Sequence, residues 1–454
     1  MRNEGVPLFS STINFINYVT CYNSMIKEKE LVQKGGGGYS AGESRDSGEQ
    51  AKNNIDSIFN SFIKHTIFKN KFVLQSNYAP ENIPHREKQI NQIAPIVAPS
   101  LRLERPSNLF IYGLTGTGKT LVVQYIRNQL FKKAKDQEVC VLMPFINCKL
   151  RKVADTEYRI LAELIRKLGG KVAATGLPTD QLYKKFVDIV DEKKQIIIVV
   201  FDEIDQAVKR IGDEFLYNFT RLNTELTQAQ ISMIGISNDL KFLDSLDPRV
   251  RSSLGEEEIL FAPYNALQLQ DILRHRSNEA FKGGILDNGV IEKCAAYAAR
   301  EHGDARRALD LLRISGELVE RDGKKKITLD YIDKAKEKME ADKILIAVEN
   351  QPKQFQLVLI SVLQLYRQAL KENESMIFTG DIYNLYRDFC IRTQTECLTQ
   401  RRISDIIAEF DMLGLINAKV ISKGRHGRTR EIRVDLSESL REKINLILMN
   451  SLNL

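Results

Sequence analysis

The sequence predicts an α/β protein in three folded parts: a domain on a parallel five-stranded sheet, a helical domain and a C-terminal winged helix. Three observations predict it. Five short, strongly apolar runs alternate with helical patterns between about residues 54 and 261. Residues 264–345 then read as helix almost throughout, broken only by "KGG", "EHGD" and the charged turn "RDGKKK". After Gln351, further helices give way to a basic, glycine-framed hairpin, "SKGRHGRTREIR" at 422–433.

The chain of 454 residues has room for about two to four domains, and 43% hydrophobic content supports real cores. The net charge of +7, 66 basic against 59 acidic residues, is mild but unevenly spread. From Lys419 to Arg433 six basic residues meet one acid, a local net of +5. A concentrated patch of that kind points to a polyanion partner. With no run of about eighteen apolar residues, no membrane span is expected. The N-terminus mixes polar residues throughout and lacks a signal peptide's apolar centre. The six cysteines contain no C-x-x-C pair and the five histidines no metal-spaced cluster. Reduced, mostly buried thiols, no structural metal and a cytoplasmic location are therefore expected. Residues 1–50, with "KGGGGYSAGESRDSGEQ", are expected to be a disordered segment.

The runs "NLFIY" (108–112), "VCVLMPFIN" (139–147), "QIIIVVFD" (195–202), "ISMIGIS" (231–237) and "EEILFAP" (257–263) are the expected strands. Runs this apolar suit a parallel sheet covered by helices on both faces. The borders follow: residues 51–263 for the sheet domain, 264–345 for the helical domain and 346–454 for the winged helix.

The first strand leads into "GLTGTGKT", Gly113 to Thr120, which fits G-x-x-x-x-G-K-[ST] and is followed by the helical pattern "LVVQYIRNQLF". Glycines let backbone N–H groups turn inward around phosphate oxygens, at the positive end of the next helix. Gly113, Leu114, Thr115, Gly116, Thr117, Gly118 and Leu121 are thus nucleotide-binding candidates. Lys119 is placed to reach the β- and γ-phosphates and Thr120 to ligate Mg²⁺. "IIIVVFDEID" puts Asp202 and Glu203 at the C-terminal end of an apolar strand. A bare acidic pair is usually a solvated turn; this strand and the upstream loop favour Mg²⁺ binding by Asp202 and polarisation of the attacking water by Glu203. Asp205 reads as structural or interfacial.

In the C-terminal part, "TECLTQRRISDIIAEFDMLGLI" spaces Ile403, Ile406, Ile407, Phe410 and Leu413 close to a helical period, with Thr399 as N-cap and Gly414 as terminator. Gln400, Arg401 and Arg402 fall in its first turn, as in a recognition helix entering a major groove. Two strands follow around the glycine-framed tip, where Ile432 and Val434 are expected to alternate with Arg430 and Arg433. Lys423, Arg425, His426, Arg428 and Arg430 are the wing's DNA-binding candidates, with Gly424 and Gly427 allowing close approach to a phosphate backbone.

The P-loop, "FDEID" and the strand "ISMIGISND" together resemble the AAA+ class of ATPases. "YAPENIPHREKQI" (78–90), "LDPRVRSSLG" (246–255), "HGDARRALDLLR" (302–313) and the winged-helix stretches narrow the resemblance. They are similar to the archaeal replication initiators related to the origin recognition complex and the cell-division-cycle initiators, from about Ile55 onward. The resemblance implies a slow, regulatory ATPase that binds ATP/ADP and Mg²⁺. It implies Asn238 as the polar sensor and Arg306 as the lid's γ-phosphate sensor. Ile83, Arg86, Tyr264 and Arg276 join the nucleotide-binding set. Residues 155–191 match a helical insertion that in the family can touch DNA; plain helix packing is an equal alternative for any one of its residues. Arg249, or its neighbour Arg251, takes the place of an arginine finger acting on a neighbouring subunit; ordinary surface residues are an equal alternative. Implied partners are double-stranded origin DNA, the replicative helicase and paralogous initiator subunits, in a nucleoid-associated protein. Two other readings stay open on the sequence: a DNA-binding transcription regulator, and an AAA+ protein whose winged domain contacts protein.

Overall fold

The computed structural model describes residues 66–76, 78–80, 82–172, 178–372, 377–422 and 428–454. The segment 1–50 and the wing tip Lys423, Arg425 and His426 lie outside them.

The sheet domain has strands β1 (Asn108–Gly113), β2 (Val141–Leu142), β3 (Phe145–Asn147), β4 (Ile196–Asp202), β5 (Gln230–Ser237) and β6 (Glu256–Phe261), ordered β2-β4-β5-β1-β6 with β3 also on β4. All pairings are parallel. The second expected strand is split into β2 and β3 because Pro144 has no N–H to donate to the ladder; its carbonyl still accepts from Val200 N at 2.9 Å. β4 has two buried faces, as its unbroken apolar run requires. Ile196, Ile198 and Val200 pack with helices Glu87–Val97 and Lys119–Asp136, while Ile197, Val199 and Phe201 pack with helices Glu157–Lys167, Thr179–Val190 and Glu214–Arg221. Neighbouring β1 and β5 approach closely: a Cβ on Gly235 would meet the Phe110 ring at 2.5 Å, so only glycine fits.

Helices Ala266–Ala280, Val290–Arg300 and Ala305–Arg321 build the helical lid around a separate core. Asn265 starts it with a reciprocal cap, accepting from Gln268 N at 2.9 Å while its own N–H donates to Gln268 Oε1 at 3.0 Å. The early chain belongs here too. Ile67, Phe68, Val73 and Leu74 join this core, and Phe68 stacks on Phe281 at 4.9 Å.

The last lid helix, Leu329–Glu349, is one continuous element across residue 345. Its first half (Tyr331, Ile332, Ala335) packs in the lid core and its second (Ile344, Leu345, Val348) in the winged-helix core. That second core is enclosed by helices Lys353–Lys371, Thr379–Arg392, Gln400–Met412 and Glu438–Leu452 with β7 (Ile377–Phe378), β8 (Asn417–Ser422) and β9 (Arg428–Arg433), ordered β7-β9-β8 and antiparallel. On β9 the expected alternation fails at one residue. Arg430 has the same parity as buried Ile432 and Val434, so it is half-buried at the edge of the core face, and only Arg433 faces outward.

Candidate functional site

The P-loop is held by backbone geometry that its glycines make possible. Gly116 and Gly118 sit at φ 71° and 87°, in the left-handed region. A Cβ on Gly116 would collide with the Asp304 carboxylate, and Ala305 N donates to Gly116 O at 3.2 Å. Asp304 also caps the lid helix Ala305–Arg321, accepting from Arg306 N at 2.8 Å and Arg307 N at 3.2 Å. Lid and loop therefore meet at one glycine.

Lys119 Nζ donates to Gly113 O at 2.7 Å, Leu114 O at 2.8 Å and Asn238 Oδ1 at 2.8 Å. The expected sensor, just after β5, is thus brought to the P-loop lysine. Burial holds Lys119 down at about 8, with Asp202 opposing that shift and Arg306 adding to it. Asp202, at the end of β4, accepts from Thr120 Oγ1 at 3.1 and 3.2 Å through its two oxygens. Burial pushes its carboxyl up, against the Thr120 hydroxyl, Arg306 and Lys119. Glu203 follows at φ 56°, a left-handed conformation that costs a non-glycine residue about 1–3 kcal/mol. His85 (φ 63°) and His302 (φ 68°), beside Arg86 and Gly303, are held the same way. Lys149 Nζ lies 3.8 Å from Glu203 Oε2. Asp205 is buried and accepts from Ser237 Oγ at 3.2 Å, a contact within the fold.

Two adjoining hollows result. The smaller is lined by Thr115 to Thr120 with Asp202, Glu203, Asn238 and Arg306. The larger, a cavity of about 230 Å³, shares Gly116, Gly118, Thr120 and Arg306 with it and extends to Ile83, Leu121, Tyr264, Ile272, Arg276 and Leu309. The smaller is walled mainly by polar atoms; the larger mixes apolar side chains such as Ile83, Ile272 and Leu309 with polar ones such as Gln75, Gln124 and Arg276.

Arg86 does not line either hollow. It is 3% exposed, donates from Nε to Thr117 O at 2.9 Å and from Nη2 to Ala262 O at 2.7 Å, and stacks 3.8 Å over the Tyr264 ring. It ties the P-loop to the strand that leads into the lid. Arg276 does line the cavity, its guanidinium 4.6 Å above the Tyr78 ring. Gln75, Tyr78 and His275 also line it and escaped the sequence reading; "YAPENIP" is the one signal that includes any of them. Arg249 lies elsewhere, its side chain 85% exposed and paired with Asp247 at 3.1 Å, and Arg251 pairs with Asp244 at 3.0 Å.

On the winged helix, Thr399 Oγ1 accepts from Arg402 N at 3.4 Å and opens the helix Gln400–Met412. Ile403, Ile406, Ile407 and Phe410 are buried beneath it, leaving Gln400, Arg401 and Arg402 exposed. Gly414, at φ 70°, closes it: its N–H donates to Asp411 O at 3.0 Å and Leu415 N donates to Phe410 O at 3.0 Å. Arg402 has two loose intrahelical partners, Asp405 at 3.9 Å and Glu409 at 3.8 Å. Arg428 opens β9, opposite Ser422, and Arg430 N donates to Thr379 Oγ1 at 3.3 Å.

Among known families, residues 102–242 match an AAA domain, residues 270–337 a Cdc6 AAA+ ATPase-type lid domain and residues 346–443 a CDC6 C-terminal winged helix domain. An ORC1-type DNA replication protein of Pyrococcus horikoshii is 49% identical over 396 residues, 86% of this chain and 92% of the relative. One from Methanosarcina mazei is 47% identical over 393 residues, 86% and 94% of the two chains. Among solved structures, that of the Aeropyrum pernix ORC1 protein in complex with DNA is similar at a TM-score of 0.70 and 40% identity, covering 85% of this chain and 97% of that one.

Proposed function

Because the chain belongs to the ORC1-type DNA replication proteins, AAA+ ATPases with a Cdc6-type lid and a C-terminal winged helix, we propose that it marks origins as an ATP-controlled switch. In this reading it binds origin duplex and recruits the replicative helicase, and slow hydrolysis ends the bound state. The observation that carries the nucleotide half is the convergence of Lys119, Thr120, Asp202, Glu203, Asn238 and Arg306 on one hollow beside the lid contact at Gly116.

ATP fits with its base in the larger cavity, between Ile83, Tyr264 and Leu309, and its phosphates in the smaller one. Asp202 and Thr120 offer two hard oxygen donors about one coordination shell apart, and the burial that strains the Asp202 carboxylate suits a cation there. Two protein oxygens with phosphates and waters are what Mg²⁺ takes. Mg²⁺ supplies charge neutralisation at the β- and γ-phosphates when bound. Lys119 steadies the γ-phosphate as it leaves its carbonyl partners, Asn238 orients the water and Glu203 accepts its proton. Arg306, in the first turn of the lid helix Ala305–Arg321, reports the γ-phosphate to the lid. An Arg249 finger would act on a second subunit, since its exposed side chain lines neither hollow.

For DNA, Arg401 and Arg402 reach the major groove while Arg428 and Arg430, with Lys423, Arg425 and His426 of the wing tip, hold phosphates; the roles of Lys423, Arg425, His426 and Arg428 are proposed on sequence alone. The solved complex of the Aeropyrum pernix relative with DNA supports DNA as a partner. Glu203→Gln is expected to retain ATP binding and to lower turnover by about 10²–10⁴-fold, the usual scale for loss of a general base. Single-turnover hydrolysis beside equilibrium ATP binding measures this, and unchanged turnover rejects the assignment. Footprinting on origin and promoter fragments tests the replication reading, because protection confined to promoters would favour a transcription regulator.

A further inference from the structure

The lid meets the P-loop through a tight turn before the helix Ala305–Arg321. His302 (φ 68°) and Gly303 (φ 65°) are consecutive residues in the left-handed region, and at His302 the surrounding fold must hold a conformation that side chains resist. The turn is braced on both flanks. Gly303 lies against the backbone of Tyr264, where a Cβ would collide with the Tyr264 carbonyl oxygen, and Arg307 pairs with Glu301. Tyr264 also carries the Arg86 guanidinium, whose Nε donates to Thr117 O at 2.9 Å. The first three N–H groups of a helix have no partner within it. Here all three are taken up at the P-loop contact. Ala305 N donates to Gly116 O at 3.2 Å, while Arg306 N and Arg307 N donate to Asp304 Oδ1 at 2.8 and 3.2 Å. The same carboxylate lies against Gly116 on the side where a side chain would project. Arg306, two residues on, lines both hollows.

We propose that Asp304 is the positioning residue for Arg306: its carboxylate seats the first turn of the lid helix on Gly116 and so holds the Arg306 guanidinium over the phosphate hollow. The proposal rests on the reading of Arg306 as the γ-phosphate sensor. An arginine side chain is long and flexible, so it is only as well placed as the backbone that carries it. Asp304 fixes that backbone from two directions, by the hydrogen bonds it accepts and by the surface it lays on Gly116. A carboxylate beside a phosphate-binding loop is electrostatically costly when an anion is bound. The cost is offset because the charge faces two N–H groups at the positive end of a helix. What the position requires is an acceptor oxygen of this shape rather than a charge, and Asn supplies the same cap. Gly116 then has two duties: its backbone shapes the loop, and its missing side chain leaves room for the lid. Arg86 and Tyr264 hold the adjoining Thr117 to the same turn, so loop and lid keep one register.

Full-length Asp304→Ala, Asp304→Asn, Arg306→Ala and the double variant Asp304→Ala/Arg306→Ala are titrated with fluorescent ATP and fluorescent ADP. Asp304→Ala is expected to lower the preference for ATP over ADP by about threefold or more, the scale of removing one helix cap. ADP affinity should stay within about twofold of the unsubstituted protein, which also certifies that each variant is folded. Asp304→Asn should keep the preference. The double variant should match Arg306→Ala alone, because without the guanidinium nothing is left to position. A loss in Asp304→Ala that falls equally on ATP and ADP, or that adds in full to the Arg306→Ala loss, makes Asp304 a plain helix cap and overturns the proposal. So does an Asp304→Asn variant as impaired as Asp304→Ala. If Arg306→Ala leaves the preference untouched, the sensor reading fails and takes the proposal with it. A clear Arg306→Ala effect beside an inert Asp304→Ala sinks the proposal alone.

Discussion

The proposed nucleotide cleft and the proposed recognition face both present cations, yet they hold them in opposite ways. In the cleft, Lys119 is buried and makes three hydrogen bonds, and Arg86 is 3% exposed with three carbonyl partners. On the winged helix, Arg401 and Arg402 are exposed, and the partners of Arg402 stand at 3.8 and 3.9 Å. The difference follows from the task. Chemistry on one phosphoryl group needs donors fixed before the substrate arrives, because reorganising them later costs barrier height. A duplex is met by many weak contacts that gain most from counterion release, and long solvated side chains can adapt to it.

The largest test of that contrast is Lys119→Ala, expected to weaken hydrolysis of ATP by about 10²–10³-fold, the scale of losing one preorganised donor. A fixed cation held near neutrality also has a pH signature that a solvated arginine lacks. Lys119 is pushed down to about 8, so its ammonium is present below that pH and is lost as pH rises through it. ATP affinity of the nucleotide-free protein should accordingly fall above pH about 8, by up to about tenfold per pH unit, while duplex binding through arginines should have no step there. Fluorescent-ATP and duplex titrations from pH 6.5 to 9.5 compare the two directly; a shared step would erase the distinction.

Next in size is Arg86→Ala. Removing the guanidinium strands the Thr117 and Ala262 carbonyls in the interior and deletes its stack on Tyr264. A loss of about 2–4 kcal/mol in denaturant unfolding is expected, from buried acceptors left unpaired. Since Arg86 lines neither hollow, the stability loss should exceed the loss of ATP affinity at saturating nucleotide. The opposite order would make it a direct ligand.

The smallest effect belongs to the open face. Arg402→Ala should leave stability within about 0.5 kcal/mol, as for surface substitutions, yet narrow the gap between origin and random duplex by about 1–3 kcal/mol if its guanidinium reads a base. Titrations of both duplexes at several salt concentrations measure it. A uniform loss on both, with a salt slope shallower by about one, would assign Arg402 to phosphate instead.

The contrast also explains what could be read from residues alone. The five apolar runs, the P-loop and the acidic pair are local signals, so the sheet and the smaller hollow follow from them. The recognition helix follows equally well, because Thr399, the Ile403–Phe410 spacing and Gly414 all lie within one short stretch. The tie that Arg86 makes was not legible, because its partners Thr117 and Ala262 are 31 and 176 positions away and no periodicity links them. The placement of residues 66–74 in the lid core has the same cause: Phe68 meets Phe281 only through the fold. Arg430 failed for a simpler reason, its parity on β9, which a strict period of two would have caught. The break between β2 and β3 was visible as Pro144 but hidden inside an otherwise continuous apolar run.

The helix Leu329–Glu349 has a mechanical meaning. With 21 residues it is about 32 Å long at 1.5 Å per residue, and its two halves are gripped by different cores. A rod clamped at both ends cannot absorb motion by bending softly, since interior packing resists deformation. It behaves as a lever arm. If the lid rocks by about 5° when the contact at Gly116 tightens or loosens, the far end of a rod this long sweeps about 3 Å. That is nearly the rise of one base pair, enough to carry an arginine from one step of a duplex to the next.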